Sequence, residues 1–213
     1  MADYVPKVKI CGITTLEDAL FCCEAGADAL GFNFAPEAKA RNRYIDPDDA
    51  LRIAEQLPPM ILTVAVCVNE PITIVTDYLS FLDRVQLHGE ESAEFCAPLG
   101  YRAIKAFRAA PEFKLDSMRA FSAGAYLLDA WVPDSRGGTG KTCDWELARE
   151  AVALGKPLIL AGGLTPANVA EAVRQVRPYG VDTAGGVESA PGKKDHAAIE
   201  EFIRNAKRAV SVS

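Results

Sequence analysis

Two reactive side chains, Cys11 and Asp129, directly follow apolar segments of the sequence. Cys11 ends VKI and precedes Gly12, and Asp129 follows AYLL. A polar group at the end of a buried segment must be paired, hydrated or functional. A thiol with a depressed pKa acts as a base or nucleophile, and a carboxyl with a raised pKa donates a proton. The two residues therefore predict acid–base chemistry; the alternatives are a buried small residue for Cys11 and a helix cap or loop ion pair for Asp129.

Two glycine pairs, Gly162–Gly163 and Gly185–Gly186, each lie between an apolar segment and a predicted helix start. A glycine pair can serve turn geometry alone, because glycine tolerates positive φ. At the ends of the seventh and eighth strands of a barrel, however, the two pairs match the place where barrel enzymes bind phosphate on backbone amides. They indicate a phosphorylated small-molecule substrate.

Four other polar side chains follow apolar segments: Asn33, Arg43 (at a longer reach), Asn69 and His88. A lone histidine is more often structural than a ligand, but His88 ends the fourth predicted strand and so joins the candidates for substrate binding. The only other histidine is His196. Without a histidine triad or a cysteine pair at metal-binding spacing, we expect no metal and no cofactor.

The elements that must position these residues alternate along the chain. The predicted strands are Val5–Ile10, Ala29–Phe34, Ile61–Val66, Arg84–Leu87, Arg102–Ala106, Ala125–Leu128, Pro157–Ala161 and Gly180–Thr183. The predicted helices are Leu16–Glu24, Pro47–Gln56, Ile72–Phe81, Ala93–Leu99, Phe113–Phe121, Trp145–Leu154, Ala167–Val176 and Ala197–Val210. Helix caps are preferred at the positions of Thr14 and Thr15, Asp46, Ser92 and Thr165. The strands are apolar on both faces, which is typical of parallel strands covered on both sides.

This alternation predicts an α/β protein with one domain, a (β/α)8 TIM barrel over residues 1–213. An open doubly wound sheet has the same alternation. The barrel is favoured because the units number eight and because CGITT, not GxGxxG, follows the first strand. Active sites of such barrels lie at the carboxyl ends of the strands. The long segment from Asp129 to Asp144 contains GGTGK but lacks a P-loop motif, and it predicts a lid over the substrate.

Composition limits the partners and the compartment. The formal net charge of −6 argues against nucleic acid or an anionic membrane surface as a partner. The opening residues MADYVPKVKICG contain no signal segment, and no apolar run approaches the roughly 20 residues of a membrane span. Cys22, Cys23, Cys67 and Cys96 are predicted to be buried, reduced residues. We expect a cytoplasmic protein, either a monomer or a homodimer.

The motifs resemble the ordered series of phosphoribosylanthranilate isomerases across almost the whole chain. The resemblance rests on VKICGITTLEDA, GADALGFNF, VQLHGEES, LLDAW, GGTGKTCDW, LILAGGLTPANV and GVDTAGGVESAPGKKD. It implies that Cys11 is the general base and Asp129 the general acid of an Amadori rearrangement that needs no metal or redox cofactor. On this basis we expect the two groups to share a negative charge and to titrate as a coupled unit.

Two segments depart from the family pattern. Where the family has KSPRY, with an arginine that holds the anthranilate carboxylate, this chain has the longer EAKARNRYIDP. Arg43 aligns best because Tyr44 and Ile45 follow it, and Arg41 competes with it. The eighth-strand loop has Ala184 and Gly185 in place of serines, which predicts at most weaker phosphate binding.

Two other functions fit a phosphate-binding barrel. A phosphosugar epimerase needs a metal-binding His/Asp set at the strand ends, and an indole-glycerol-phosphate synthase needs lysine and glutamate there. Neither set is evident. A non-catalytic barrel that senses a phosphorylated metabolite is disfavoured by the presence of both Cys11 and Asp129.

Overall fold

The polypeptide forms a closed barrel of parallel strands. The computed structural model describes residues 4–130 and 144–210. Its barrel strands are Lys7–Cys11 (β1), Ala29–Asn33 (β2), Leu62–Cys67 (β3), Arg84–Leu87 (β4), Ala103–Ala109 (β5), Ala125–Ala130 (β6), Leu158–Leu160 (β7) and Gly180–Thr183 (β8). Each strand pairs with the next, and β8 pairs in parallel with β1, so the ring has no open edge. The predicted eight-stranded barrel is confirmed.

Helices and a small hairpin complete the described part of the chain. The α-helices are Leu16–Glu24 (α1), Pro47–Ala54 (α2), Ile72–Tyr78 (α3), Ala93–Cys96 (α4), Trp145–Val152 (α5), Val169–Val176 (α6) and His196–Arg208 (α7). Short 3-10 helices cover Pro36–Arg41, Ala97–Arg102, Leu115–Ala120 and Gly185–Val187. The sequence did not predict the antiparallel pair Glu188–Ala190 (β9) and Lys193–Lys194 (β10) that follows β8. None of the helices described is long and apolar enough to cross a membrane.

Local capping chemistry explains where several helices begin. The side chains of Thr15, Asp46 and Ser92 accept hydrogen bonds from backbone N–H groups of the first turn, as predicted. The prediction for Thr165 is wrong, because α6 begins only at Val169. The Thr165 N–H instead donates to the Asn168 side chain, 2.8 Å away, in a turn before the helix.

Two predicted helices differ in the structure, the first because of tertiary contacts and the second at a proline. The helix predicted over Phe113–Phe121 is a 3-10 helix over Leu115–Ala120. The Tyr126 hydroxyl binds the carbonyl oxygens of Met118 and Phe121 at 2.6 and 3.0 Å, which fixes the end of this segment. The helix predicted over Ala93–Leu99 ends as α4 at Cys96 and continues as a 3-10 helix with a proline in its first turn.

The core has two parts, one between the barrel and its helices and one inside the barrel. Outward strand residues such as Leu30, Phe32 and Leu128 pack against the helices. Inside the barrel is a smaller apolar cluster, formed by Ala29, Val64, Ile104, Ala106, Leu127, Ile159 and Ala161. The expectation of strands apolar on both faces is wrong for β1, β4, β5 and β8, because Lys9, Gln86, Lys105 and Asp182 are buried there.

The lid predicted between Asp129 and Asp144 falls largely on residues 131–143. These residues, which include GGTGK, lie outside the described part of the chain.

Candidate active site

A cavity of about 990 Å³ opens at the carboxyl ends of the barrel strands. The structure brings all eight predicted site residues to its wall: Cys11, Arg43, His88, Asp129, Gly162, Gly163, Gly185 and Gly186. Around the rim, Asp129 on β6 and Cys11 on β1 are separated by β7 and β8, whose following loops carry the glycine pairs. The candidate acid and base therefore flank the candidate phosphate loops.

Cys11 ends β1 with 8% of its surface exposed. Its neighbour on β2 is Gly31, where a Cβ would lie 2.8 Å from the Cys11 Sγ and 3.1 Å from the Lys9 Nζ. Burial raises the pKa of the Cys11 thiol, and the Lys9 and Lys194 ammonium groups oppose that effect without cancelling it. The depressed thiol pKa considered from the sequence is therefore wrong, because burial outweighs the two cations. The charged groups that most affect the pKa of the Cys11 thiol are Lys9 and Asp182, whereas the sequence pointed to Asp129.

Asp129 ends β6 and is 4% exposed. The His88 Nε2 lies 3.3 Å from the Asp129 Oδ2. This nitrogen has no partner with hydrogen-bond geometry among the described residues. On the other side of the ring, the Gln86 Nε2 lies 2.8 Å from the His88 Nδ1. An amide that donates to Nδ1 leaves the imidazole hydrogen on Nε2, the nitrogen closest to Asp129. Gln86 thus favours the His88 tautomer whose N–H faces the candidate acid.

The two glycine loops are built against each other. Gly162 and Gly163 have φ values of 87° and 64°, which L side chains rarely adopt. The Thr183 hydroxyl donates to the carbonyl oxygen of Leu164 at 2.8 Å, and the Asn168 amide donates to that of Gly163 at 2.9 Å. A Cβ on Gly186 would overlap the Leu164 carbonyl oxygen. The close approach of the loops requires glycine at this position.

We expect Gly186→Ala to lower the free energy of unfolding by about 1–3 kcal/mol, because the added methyl group overpacks the contact with Leu164. The KM for a phosphorylated substrate should rise as the loop moves. Chemical denaturation and steady-state kinetics measure the two effects. The control is Gly155→Ala, where φ is +82° but no heavy atom lies within 4 Å of the new Cβ; it should leave KM unchanged. An unaltered KM in Gly186→Ala would contradict a binding role for this loop.

Arg43 reaches the cavity along the backbone of Gly12, where an added Cβ would lie 3.2 Å from the arginine Cδ. Its guanidinium binds the buried Glu188 carboxylate, with Nε–Oε1 at 2.9 Å and Nη2–Oε2 at 2.7 Å. Lys194 donates to the same carboxylate at 2.9 Å. Although burial raises the pKa of Glu188, Arg43 and Lys194 hold it below its usual value. The Nη1 donors take no part in the pair with Glu188. Arg41 also lines the cavity.

The two asparagines among the candidates have different places. Asn33 lines the cavity and accepts a hydrogen bond from the Ala35 N–H at 3.0 Å. Asn69, at φ 55°, accepts from the Glu90 N–H at 2.7 Å and is a loop-ordering residue behind the site.

The sequence did not point to Lys9, Gln86, Asp182, Glu188 or Lys194, which belong to the cavity or to its ion pairs. The predicted candidates all follow strands, whereas the first three of these residues lie inside barrel strands. A usable signal was available for Lys9 and Gln86, because strand residues two apart share a face and these precede Cys11 and His88 by two positions. Within the described residues, no cluster of three or more His, Cys, Asp or Glu residues has the geometry of a metal site.

Comparison with known proteins places the chain among relatives of one kind. Residues 8–205 match the family model described as N-(5'phosphoribosyl)anthranilate (PRA) isomerase. An N-(5'-phosphoribosyl)anthranilate isomerase of Geobacter sulfurreducens is 55% identical over 203 residues, covering 94% of this chain and 98% of the relative.

Solved structures agree with that match. The phosphoribosyl anthranilate isomerase of Thermotoga maritima superposes with a TM-score of 0.84 at 46% identity, covering 95% of this chain and 98% of the other. A phosphoribosyl anthranilate isomerase in complex with reduced 1-(o-carboxyphenylamino)-1-deoxyribulose 5-phosphate has a TM-score of 0.80 at 45% identity, with the same coverage of both chains.

Proposed function

Because the chain belongs to the N-(5'-phosphoribosyl)anthranilate isomerase family, we propose that Cys11 and Asp129 are the general base and the general acid of its reaction. The protein is an isomerase of tryptophan biosynthesis: it converts N-(5'-phosphoribosyl)anthranilate to 1-(2-carboxyphenylamino)-1-deoxyribulose 5-phosphate by an Amadori rearrangement. The proposal for the two residues is supported by one observation: a buried thiol and a buried carboxyl, from strands far apart in sequence, line one cavity beside two glycine loops.

The reaction needs one proton delivered and one removed. Asp129 protonates the furanose ring oxygen, and the ring opens to a Schiff base. The Cys11 thiolate then removes the proton on C2', which gives an enolamine, and this tautomerises to the ketone product. Both residues lie within strands of a closed barrel, near the carboxyl end of each, so the barrel and not a loop holds their positions. His88, with its Nε2 beside the carboxyl, would steady Asp129 through the proton transfer.

The test of the reaction is direct. Freshly made N-(5'-phosphoribosyl)anthranilate is mixed with the protein, and the anthranilate-type fluorescence should fall at a rate proportional to protein concentration. A fluorescence decay no faster than the spontaneous decay of the substrate would overturn the assignment.

We place the substrate phosphate on the loops that contain Gly162–Gly163 and Gly185–Gly186. Backbone N–H groups at such loops bind phosphate without help from a positively charged side chain. This mode of binding suits a chain with a formal net charge of −6. The relative in complex with a phosphorylated ligand supports a substrate that carries a phosphate. Ala184 and Gly185 offer no hydroxyl, so this loop would contribute backbone contacts only.

We assign the anthranilate carboxylate to Arg43 and expect Arg43→Lys to raise KM about 10–100-fold with a smaller effect on kcat. Lysine keeps the charge but lacks the planar fork that binds a second carboxylate while Glu188 is engaged. The loss of a charge-assisted hydrogen bond, about 1.5–3 kcal/mol, sets this range. Steady-state kinetics of the variant measures it.

Arg41→Lys is the matched control, since Arg41 lines the same cavity and competes for the same role. It should change KM by less than about twofold. If Arg41→Lys raises KM and Arg43→Lys does not, the carboxylate belongs to Arg41. A substrate analogue without the carboxylate should bind the wild type and Arg43→Lys equally, which separates carboxylate binding from disturbance of Glu188.

We further propose that residues 1–213 form one catalytic domain, because the described barrel supplies every candidate group from a single chain. That arrangement suits a monomer or a homodimer equally, with a phosphorylated small molecule as the partner and without nucleic acid or membrane. The five described cysteines are free thiols, which favours the reducing cytoplasm.

A further inference from the structure

Lys9 is a charged residue enclosed by the barrel. It precedes Cys11 by two positions on β1, and residues two apart on a strand share a face. Only 4% of its surface is exposed. A lysine so enclosed must be neutral or must have a negative partner.

The partner of Lys9 is Asp182, which lies opposite it across the seam where the last barrel strand meets the first. The two residues are direct neighbours in the pairing of β1 with β8. The Lys9 Nζ lies 2.8 Å from the Asp182 Oδ1. Although burial by itself lowers the pKa of Lys9, the Asp182 carboxylate and the Cys11 side chain more than offset it, and the pKa is raised. Lys9 is therefore an ammonium group.

The same ammonium lies on the Cys11 side of the barrel interior, since a Cβ built on Gly31 would be 3.1 Å from the Lys9 Nζ and 2.8 Å from the Cys11 Sγ. Gly31 makes this arrangement possible, because it leaves open the space in which a Cβ would press on both the Sγ and the Nζ atoms. The other charges near the thiol are Asp182 on β8 and Lys194 on β10. Lys194 donates to Glu188 and to the backbone oxygen atoms of Cys11 and Ala184, so its N–H donors are occupied by oxygen atoms and it acts on the thiol only as a nearby charge.

We propose that Lys9, held in place by Asp182, is the positioning residue that makes Cys11 a base by stabilising its thiolate. This inference rests on the proposed role of Cys11. The thiol proton is lost to solvent, and the resulting anion lies near an ammonium that can donate a hydrogen bond to it. An ammonium has three N–H donors, so it can donate to the carboxylate and to the sulfur anion at the same time. The anion then has an electron pair available for the C2' proton.

The test measures the thiolate itself and does not depend on turnover. Iodoacetamide alkylates thiolates, so the pH dependence of alkylation at Cys11, resolved by mass spectrometry, reports its ionisation. Removing Lys9 alone would leave Asp182 buried without a partner. The informative variant is therefore the double substitution Lys9→Met with Asp182→Asn, which removes both charges. Lys9→Gln with Asp182→Asn is a second neutral pair, and circular dichroism establishes which variants fold.

In a folded neutral-pair variant, the midpoint of Cys11 alkylation should move up by about one pH unit or more, and the rate at pH 7 should fall at least about tenfold. Lys9→Arg keeps a cation and should preserve most of the wild-type profile. The matched control is Lys7→Met with Asp28→Asn, a pair that joins the start of β1 to the residue before β2, with a 3.0 Å contact and an exposed lysine. It should not shift the profile. Alkylation of the half-buried Cys23 provides an internal reference within each sample.

An unchanged Cys11 profile in a folded neutral-pair variant would overturn the proposal. If neither pair folds, the single substitution Lys9→Gln decides: its amide can still donate to Asp182 but carries no charge, so the Cys11 midpoint should move up, and no shift would count against Lys9. Failure of the proposed catalytic function looks different, because Cys11→Ser would then retain turnover whatever the alkylation profile shows.

Discussion

Replacing Cys11 with serine is expected to lower kcat by about 10²–10⁴-fold, the range that positioned general acid–base groups contribute. The serine hydroxyl occupies nearly the same volume at the end of β1, so the fold should persist. It does not ionise near neutral pH, even beside the Lys9 ammonium, so proton removal from C2' loses its base. Single-turnover loss of substrate fluorescence measures the effect on the chemical steps.

Cys23→Ser is the control for this experiment. Cys23 lies in α1, on the outside of the barrel and away from the cavity, and its substitution should leave kcat unchanged. A Cys11→Ser enzyme with wild-type turnover would remove Cys11 from the mechanism.

Asp129→Asn is expected to lower kcat by about 10²–10⁴-fold as well, and to change the shape of the pH–rate profile. Asparagine fills the same space at the end of β6 and can accept a hydrogen bond from the His88 Nε2, but it has no proton to donate to the ring oxygen. The limb on which activity falls with rising pH reports an acid that must be protonated, and this limb should disappear. Steady-state rates across the pH range measure both changes.

Asp116→Asn provides the comparison, since Asp116 is an exposed carboxylate in a surface 3-10 helix. It should keep both limbs of the profile. A profile with both limbs unchanged in Asp129→Asn is incompatible with Asp129 as the acid, even if kcat falls.

The fold was predictable because its signals are local and repeated. Eight apolar segments alternate with helical periodicity, and side chains such as Thr15, Asp46 and Ser92 cap their helices through contacts within three residues. The segment before β6 was mispredicted for the opposite reason. Its backbone is held by the Tyr126 hydroxyl and by packing of Phe121 on Phe107, with ring centroids 5.2 Å apart, and these contacts are not visible in the local pattern.

The site was predictable where chemistry follows a strand and was missed where it lies inside one. Cys11, Asp129 and the glycine pairs sit at strand ends, and the topology of a barrel then brings them together. Lys9 and Asp182 are 173 positions apart in sequence. Their pairing depends on the register of β1 against β8, which no local pattern specifies. The same holds for the contact between Arg43 and Glu188, residues 145 positions apart.

The seam between β8 and β1 has a consequence for the assembly of the chain. Docking of the four-residue strand β8 covers the hydrogen-bonding edges of both β1 and β7 and supplies the counterion of Lys9. A chain that lacks β8, whether truncated or only partly synthesised, would present two bare strand edges and a lysine with no carboxylate in its open interior. Such edges recruit strands from other molecules. We expect fragments ending before Gly180 to aggregate, and a separately supplied segment containing β8 and α7 to suppress that aggregation.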